Sequence, residues 1–109
     1  MTPFIAAIAL FAPPTYSLEY TWKSARKSAP IKGTVKVVEG ATVEAKDARN
    51  GIILKLSVKP NKDGSVMISA AQFKNGVKDR SVVMKTNIGQ RVSGESEYYI
   101  IIVKATKLG

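Results

Sequence analysis

The sequence predicts an all-β domain, a small antiparallel β-sandwich or barrel of about seven or eight strands. Two observations carry this. Short runs of alternating apolar and polar residues recur about every 8 to 12 residues, with Gly, Asn and Pro turn signals between them. No stretch of the chain shows a sustained helical period of apolar residues.

The first seventeen residues, MTPFIAAIALFAPPTYS, carry no charge. The apolar run from Phe4 to Ala12 is far short of the roughly 20 residues that span a bilayer as a helix. Its length suits the apolar region of a secretory signal, with cleavage near Ser17 and Leu18. No Lys or Arg precedes the run, and Pro13-Pro14 would stop a helix. The alternative is a structural N-terminal arm. The expected organisation is therefore residues 1–17 as signal or arm and residues 18–109 as one β domain.

A first strand is expected over Ser17–Lys23, with Leu18, Tyr20 and Trp22 on one face. KSARKSAP, residues 23–30, reads as a basic loop. Val35 and Val37 before Glu39-Gly40, and Val43 and Ala45 after it, predict a hairpin over Gly33–Ala45. Lys46 to Gly51 is a polar turn ending in Asn-Gly. In GIILKLSVKPNKDGSVMISA, residues 51–70, Ile52, Leu54, Leu56 and Val58 alternate with more polar positions. After Pro60-Asn61-Lys62-Asp63-Gly64 the alternation resumes with Val66, Ile68 and Ala70. This is the clearest hairpin in the chain. Ala71 to Lys78 continues it past a bend, with Asn75-Gly76 as a further turn. Ser81–Thr86 is a strand, Asn87-Ile88-Gly89-Gln90 a turn, and Arg91-Val92-Ser93 leads to Gly94. Tyr98 to Val103 (YYIIIV) is apolar on both faces, which places it mid-sheet or between two sheets.

The chain has 109 residues, with neither cysteine nor histidine. That excludes disulfides, thiolate nucleophiles, imidazole bases and the common zinc sites. The eight carboxylates are scattered, with no calcium-loop spacing, and no cofactor is expected. Glu95 and Glu97 could share one strand face as an acid–base pair, but exposed surface glutamates account for them, so no enzyme is expected. The net charge of +9 favours anionic partners: nucleic acid, lipopolysaccharide or anionic lipid. Lys23, Arg26, Lys27 and Lys32 form the densest basic stretch and are the candidate contacts for an anionic partner. Trp22, beside Lys23, is the candidate aromatic contact, although its shared face with Leu18 and Tyr20 also suits a core position. Open sheet edges could add a partner strand; Lys55 and Lys59 are expected to protect them.

The order of several segments resembles the C-terminal domain of bacterial secretins. Val38-Glu39-Gly40-Ala41-Thr42-Val43 resembles that family's hydrophobic, acidic-Gly, Ala/Thr-Val segment. Gly51 to Pro60 is similar to its G-I-x-L-x-V-x-P strand, and Asn61 to Val66 to its N-x-D-G-S/T-V turn. Gly89-Gln90-Arg91-Val92 resembles its D-G-Q-T-V corner, with Ile88 in place of the Asp. Where the family follows with G-G-L, this chain has Ser93-Gly94-Glu95. The likeness covers roughly residues 33–105 and implies an all-β protein exported to a Gram-negative envelope. Secretin pores also need ring-building domains and membrane-inserting hairpins, so a small stand-alone relative is expected here, not a pore. The functional expectation is a non-enzymatic β-domain, periplasmic or secreted, that binds another envelope component or self-assembles. The alternative is a basic β-barrel that binds single-stranded nucleic acid.

Overall fold

The computed structural model describes residues 14–23, 29–48, 51–97 and 99–108. They form eight strands: β1 (Thr15–Lys23), β2 (Ile31–Val38), β3 (Thr42–Asp47), β4 (Ile52–Pro60), β5 (Val66–Lys74), β6 (Val77–Thr86), β7 (Arg91–Glu95) and β8 (Ile100–Lys107). The strands build two four-stranded antiparallel sheets, ordered β2-β1-β8-β7 (sheet A) and β3-β4-β5-β6 (sheet B). This is the small all-β sandwich that the alternation predicts. The path is a meander: β8 returns to pair with β1, and the chain changes sheet at β2/β3 and at β6/β7.

Alternation decides which side of each strand meets the other sheet. Leu18 and Trp22 of β1, Val37 of β2 and Ile101, Val103 and Ala105 of β8 point inward from sheet A. Leu54, Leu56, Val58, Val66, Ile68, Ala70 and Met84 meet them from sheet B. Area bookkeeping gives about 1.5–3 kcal/mol for each fully buried large aliphatic side chain, so this layer dominates stability.

The turns explain the topology. Asn75 (φ 53°) and Gly76 (φ 80°) both take positive φ, the type I′ pattern, and β5 and β6 pair directly from Lys74 and Val77. A type I′ turn matches the twist of paired strands. At Val38–Ala41 only Gly40 has positive φ (80°), with Ala41 N–H donating to Val38 O at 2.9 Å. That is the type II pattern, which splays the flanking strands. The expected Gly33–Ala45 hairpin is accordingly corrected: the turn exists, but β2 and β3 belong to different sheets. Asn87–Gln90 repeats the device, with Gly89 at φ 86° and Gln90 N–H donating to Asn87 O at 3.1 Å, at the second change of sheet.

Three other expectations change. β1 begins at Thr15, two residues earlier than expected, and Tyr16 is buried. Cleavage after Ser17 would remove Tyr16 and the pairs Thr15↔Val38 and Tyr16↔Lys107. Lys55 and Lys59 lie on β4, an interior strand, so they do not guard a sheet edge. β8 is central in sheet A as expected, but only one of its faces is covered: Ile100 and Ile102 remain 41% and 39% exposed. The apolar run of residues 4–12 lies outside the described residues.

Candidate functional site

The outer face of sheet A is built by register. Lys32, Thr21, Ile102 and Ser93 form one row across the four strands. Thr34, Glu19, Lys104 and Arg91 form the next. Lys23, Ile100 and Glu95 lie on the other side of the Ile102 row, and Ser17 and Lys36 pair beyond the Glu19 row. A shallow cavity of about 470 Å³ opens on this face, lined among others by Glu19, Thr21, Lys32, Arg91, Ile102 and Lys104. Among the described residues Lys32, Arg91 and Lys104 make no ion pair. Each is a cation free to meet an external anion.

The expected basic contacts divide. Lys32 is exposed and lines the cavity. Lys23 is half-buried at the end of β1, on the same outward face. Arg26 and Lys27 lie outside the described residues, in the β1–β2 connection. Trp22 is corrected: it is fully buried, because its even position on β1 points it into the core. Its indole N–H donates to Gln72 Oε1 at 2.9 Å, so it offers no face for stacking. Sequence reasoning missed Arg91 and Lys104, which are 13 positions apart and meet only through β7–β8 pairing. The signal was present in the outward parity of Lys104, two positions beyond Ile102.

The outer face of sheet B is also basic. Lys46, Lys55, Lys59, Lys78 and Lys85 share it with Glu44, Ile53, Met67, Phe73 and Val83. These cations are partly engaged. Lys55 Nζ sits 4.6 Å from the Phe73 ring centroid, and Lys85 Nζ lies 3.2 Å from Asp63 Oδ2. Asp63 also accepts hydrogen bonds from the Ser65 hydroxyl and backbone N–H; these and Lys85 hold its carboxyl down at about 2.

Between the sheets runs a short polar chain. Trp22 donates to Gln72, and Gln72 Nε2 donates to Asp79 Oδ2 at 2.8 Å. The register slips here between Ala71 and Phe73. Tyr99 caps the irregularity, its hydroxyl shared between Arg80 O at 2.7 Å and Ala70 O at 3.1 Å. Burial, reinforced by the Asp79 charge, pushes the Tyr99 phenol up to about 12. This chain runs from the buried Trp22–Gln72 contact to the part-buried Asp79 and serves the fold.

Among the described residues no three His, Cys, Asp or Glu side chains gather as a metal site. Glu95 is exposed at the end of β7, and Glu97 lies beyond it. No protein-family model, curated protein or solved structure matches this chain.

Proposed function

We propose that this chain is an exported, non-enzymatic β-domain that works by binding a component of the cell envelope or by assembling with itself, and that the outer face of sheet A is its contact surface. The observation that carries this reading is the exposure of Ile100 and Ile102 on a central strand, beside the cations Lys32, Arg91 and Lys104, which make no ion pair among the described residues. Ile100 and Ile102 stand two positions apart and point outward from the same face of β8, and exposed apolar groups rimmed by polar residues are one mark of an interaction site. The uncharged run Phe4–Ala12 supports export. The secretin-like order of segments supports an envelope address.

The test is cell fractionation with intact mass. The reading expects protein in the periplasm or envelope, shortened at its N-terminus. Pro14 O accepts from Glu39 N–H at 3.0 Å and Tyr16 is buried, so the mature chain is expected to begin no later than Pro14. Full-length protein confined to the cytosol would contradict export.

A second reading, single-stranded nucleic-acid binding, draws on sheet B. Phe73 is half-buried on an outer face that carries Lys46, Lys55 and Lys78. An aromatic among lysines is the arrangement that stacks a base and neutralises its phosphates. Salt-dependent binding of a labelled oligonucleotide, weakened by Phe73→Ala, would support it; no binding at low salt would remove it.

A further inference from the structure

The outer face of sheet A presents a broad, open sheet surface with aliphatic residues at its centre and cations around them. Ile100 and Ile102 stand two positions apart on β8, pointing the same way. Lys23 and Lys32 flank them toward β1 and β2; Arg91 and Lys104 lie on the Glu19 row beside them. Val38 and Leu108, 41% and 49% exposed, add apolar surface at the opposite end of the sheet. Glu19 and Glu95 are the acidic groups at outward register positions of this face, and the cations outnumber them.

We infer that the partner of this face is the surface of an anionic phospholipid bilayer, into whose headgroup region Ile100 and Ile102 insert while Lys23, Lys32, Arg91 and Lys104 meet lipid phosphates. Three features favour lipid over a folded protein or a nucleic-acid strand. The central apolar groups are aliphatic, and no described outward register position of the face is aromatic; Tyr20, which also lines the cavity, sits at an inward register position against Gly33. The cations are long and make no ion pair among the described residues, so each can reach a phosphate while its stem lies along apolar surface. Apolar side chains inserted beside basic ones are the combination that holds peripheral proteins at anionic interfaces.

The inference deepens the proposed function and rests on it. The test is co-sedimentation of the purified protein with vesicles of phosphatidylglycerol and, separately, of phosphatidylcholine. Binding to phosphatidylglycerol is expected to exceed binding to phosphatidylcholine by at least roughly tenfold and to weaken with salt. The double variant Arg91→Glu/Lys104→Glu is expected to lose roughly tenfold or more in partitioning. Ile100→Ser/Ile102→Ser is expected to lose a comparable factor, because the aliphatic tips no longer enter the interface. Ser93→Glu, on the Ile102 row and removing no apolar contact, gives a third variant, with loss again expected. Binding that both double variants leave intact overturns the inference. So does binding that falls with the charges but not with the isoleucines, which would mean surface attraction without insertion. A preference for a single-stranded oligonucleotide over vesicles overturns it in favour of nucleic acid. If the protein stays in the envelope of the host but ignores both vesicles, the lipid inference fails and the binding reading stands. A cytosolic protein that ignores both vesicles removes the two together.

Discussion

Arg91 and Lys104 stand directly opposite each other on β7 and β8, and neither forms an ion pair among the described residues. Like charges facing across a sheet are destabilising, by roughly 0.2–1 kcal/mol on the scale of cross-strand pairs. The fold carries this repulsion on the same face where Ile100 and Ile102 are exposed. On its other side Lys104 stands opposite Glu19 of β1, an opposite-charge pairing that offsets part of this repulsion.

Replacing Arg91 with Glu makes the pair complementary. Arg91→Glu is expected to raise stability by up to about 1 kcal/mol while weakening binding through this face. Urea midpoints and envelope retention, measured on the same variant, check the two effects. A loss of stability would mean that Arg91 has a structural partner.

Trp22 is the only tryptophan, so its emission reports on the core. Iodide is expected to leave it unquenched until the protein unfolds. Gln72→Leu strands the indole N–H and is expected to cost about 1–3 kcal/mol. Trp22→Phe strands Gln72 Oε1 and opens a gap; it is expected to cost about 2–4 kcal/mol. Thermal or urea denaturation measures both. An oligonucleotide that quenches Trp22 in the folded protein would contradict its burial.

Gly33 faces Tyr20 across β1–β2, and a Cβ there would stand 2.5 Å from the Tyr20 hydroxyl oxygen. Gly33→Ala is expected to destabilise by about 1–3 kcal/mol, because the ring must move off the glycine. Combining it with Tyr20→Leu is expected to recover part of that loss, and a double-mutant cycle reads the coupling. Full additivity would contradict the contact.

Stability is expected to fall at both ends of the pH range, for separate reasons. Folding holds the Asp63 carboxyl near 2, below its ordinary value of about 3.9, so its contribution is present above about pH 4 and is lost as pH falls toward 2. Asp63→Asn removes this dependence. Folding holds the Tyr99 phenol near 12, above its ordinary value of about 10. Its neutral form is the one that folding favours, so stability is full below about pH 10 and declines as pH rises toward 12. Thermal melts across pH with Asp63→Asn, and with Tyr99→Phe as the alkaline control, check both arms.

The strands were legible because one side of each is apolar and the other is not. GIILKLSVKPNKDGSVMISA showed its register openly: Leu54, Leu56, Val58, Val66 and Ile68 are all buried. The assignment of strands to sheets was less visible, and at three turns it goes with the residue before the glycine. Asn75 tolerates positive φ and closes a type I′ hairpin; Glu39 and Ile88 do not take it, and the chain changes sheet. The candidate face was only half legible. Lys23 and Lys32 stood out as neighbours in the chain, whereas Arg91 and Lys104 came together through pairing that no local pattern states. The reading of Trp22 as a contact failed because proximity to Lys23 in sequence means opposite faces on a strand.

Whether the outer face of sheet A meets the envelope is read most directly by photo-crosslinking in the native host, with the photoreactive residue at position 102 in one strain and at position 83 in another. Ile102 and Val83 are both exposed, on the outer faces of sheet A and sheet B. An adduct with an envelope component is expected from position 102, and none from position 83. An adduct from position 83 alone, or a cytosolic protein that yields none at position 102, would contradict it.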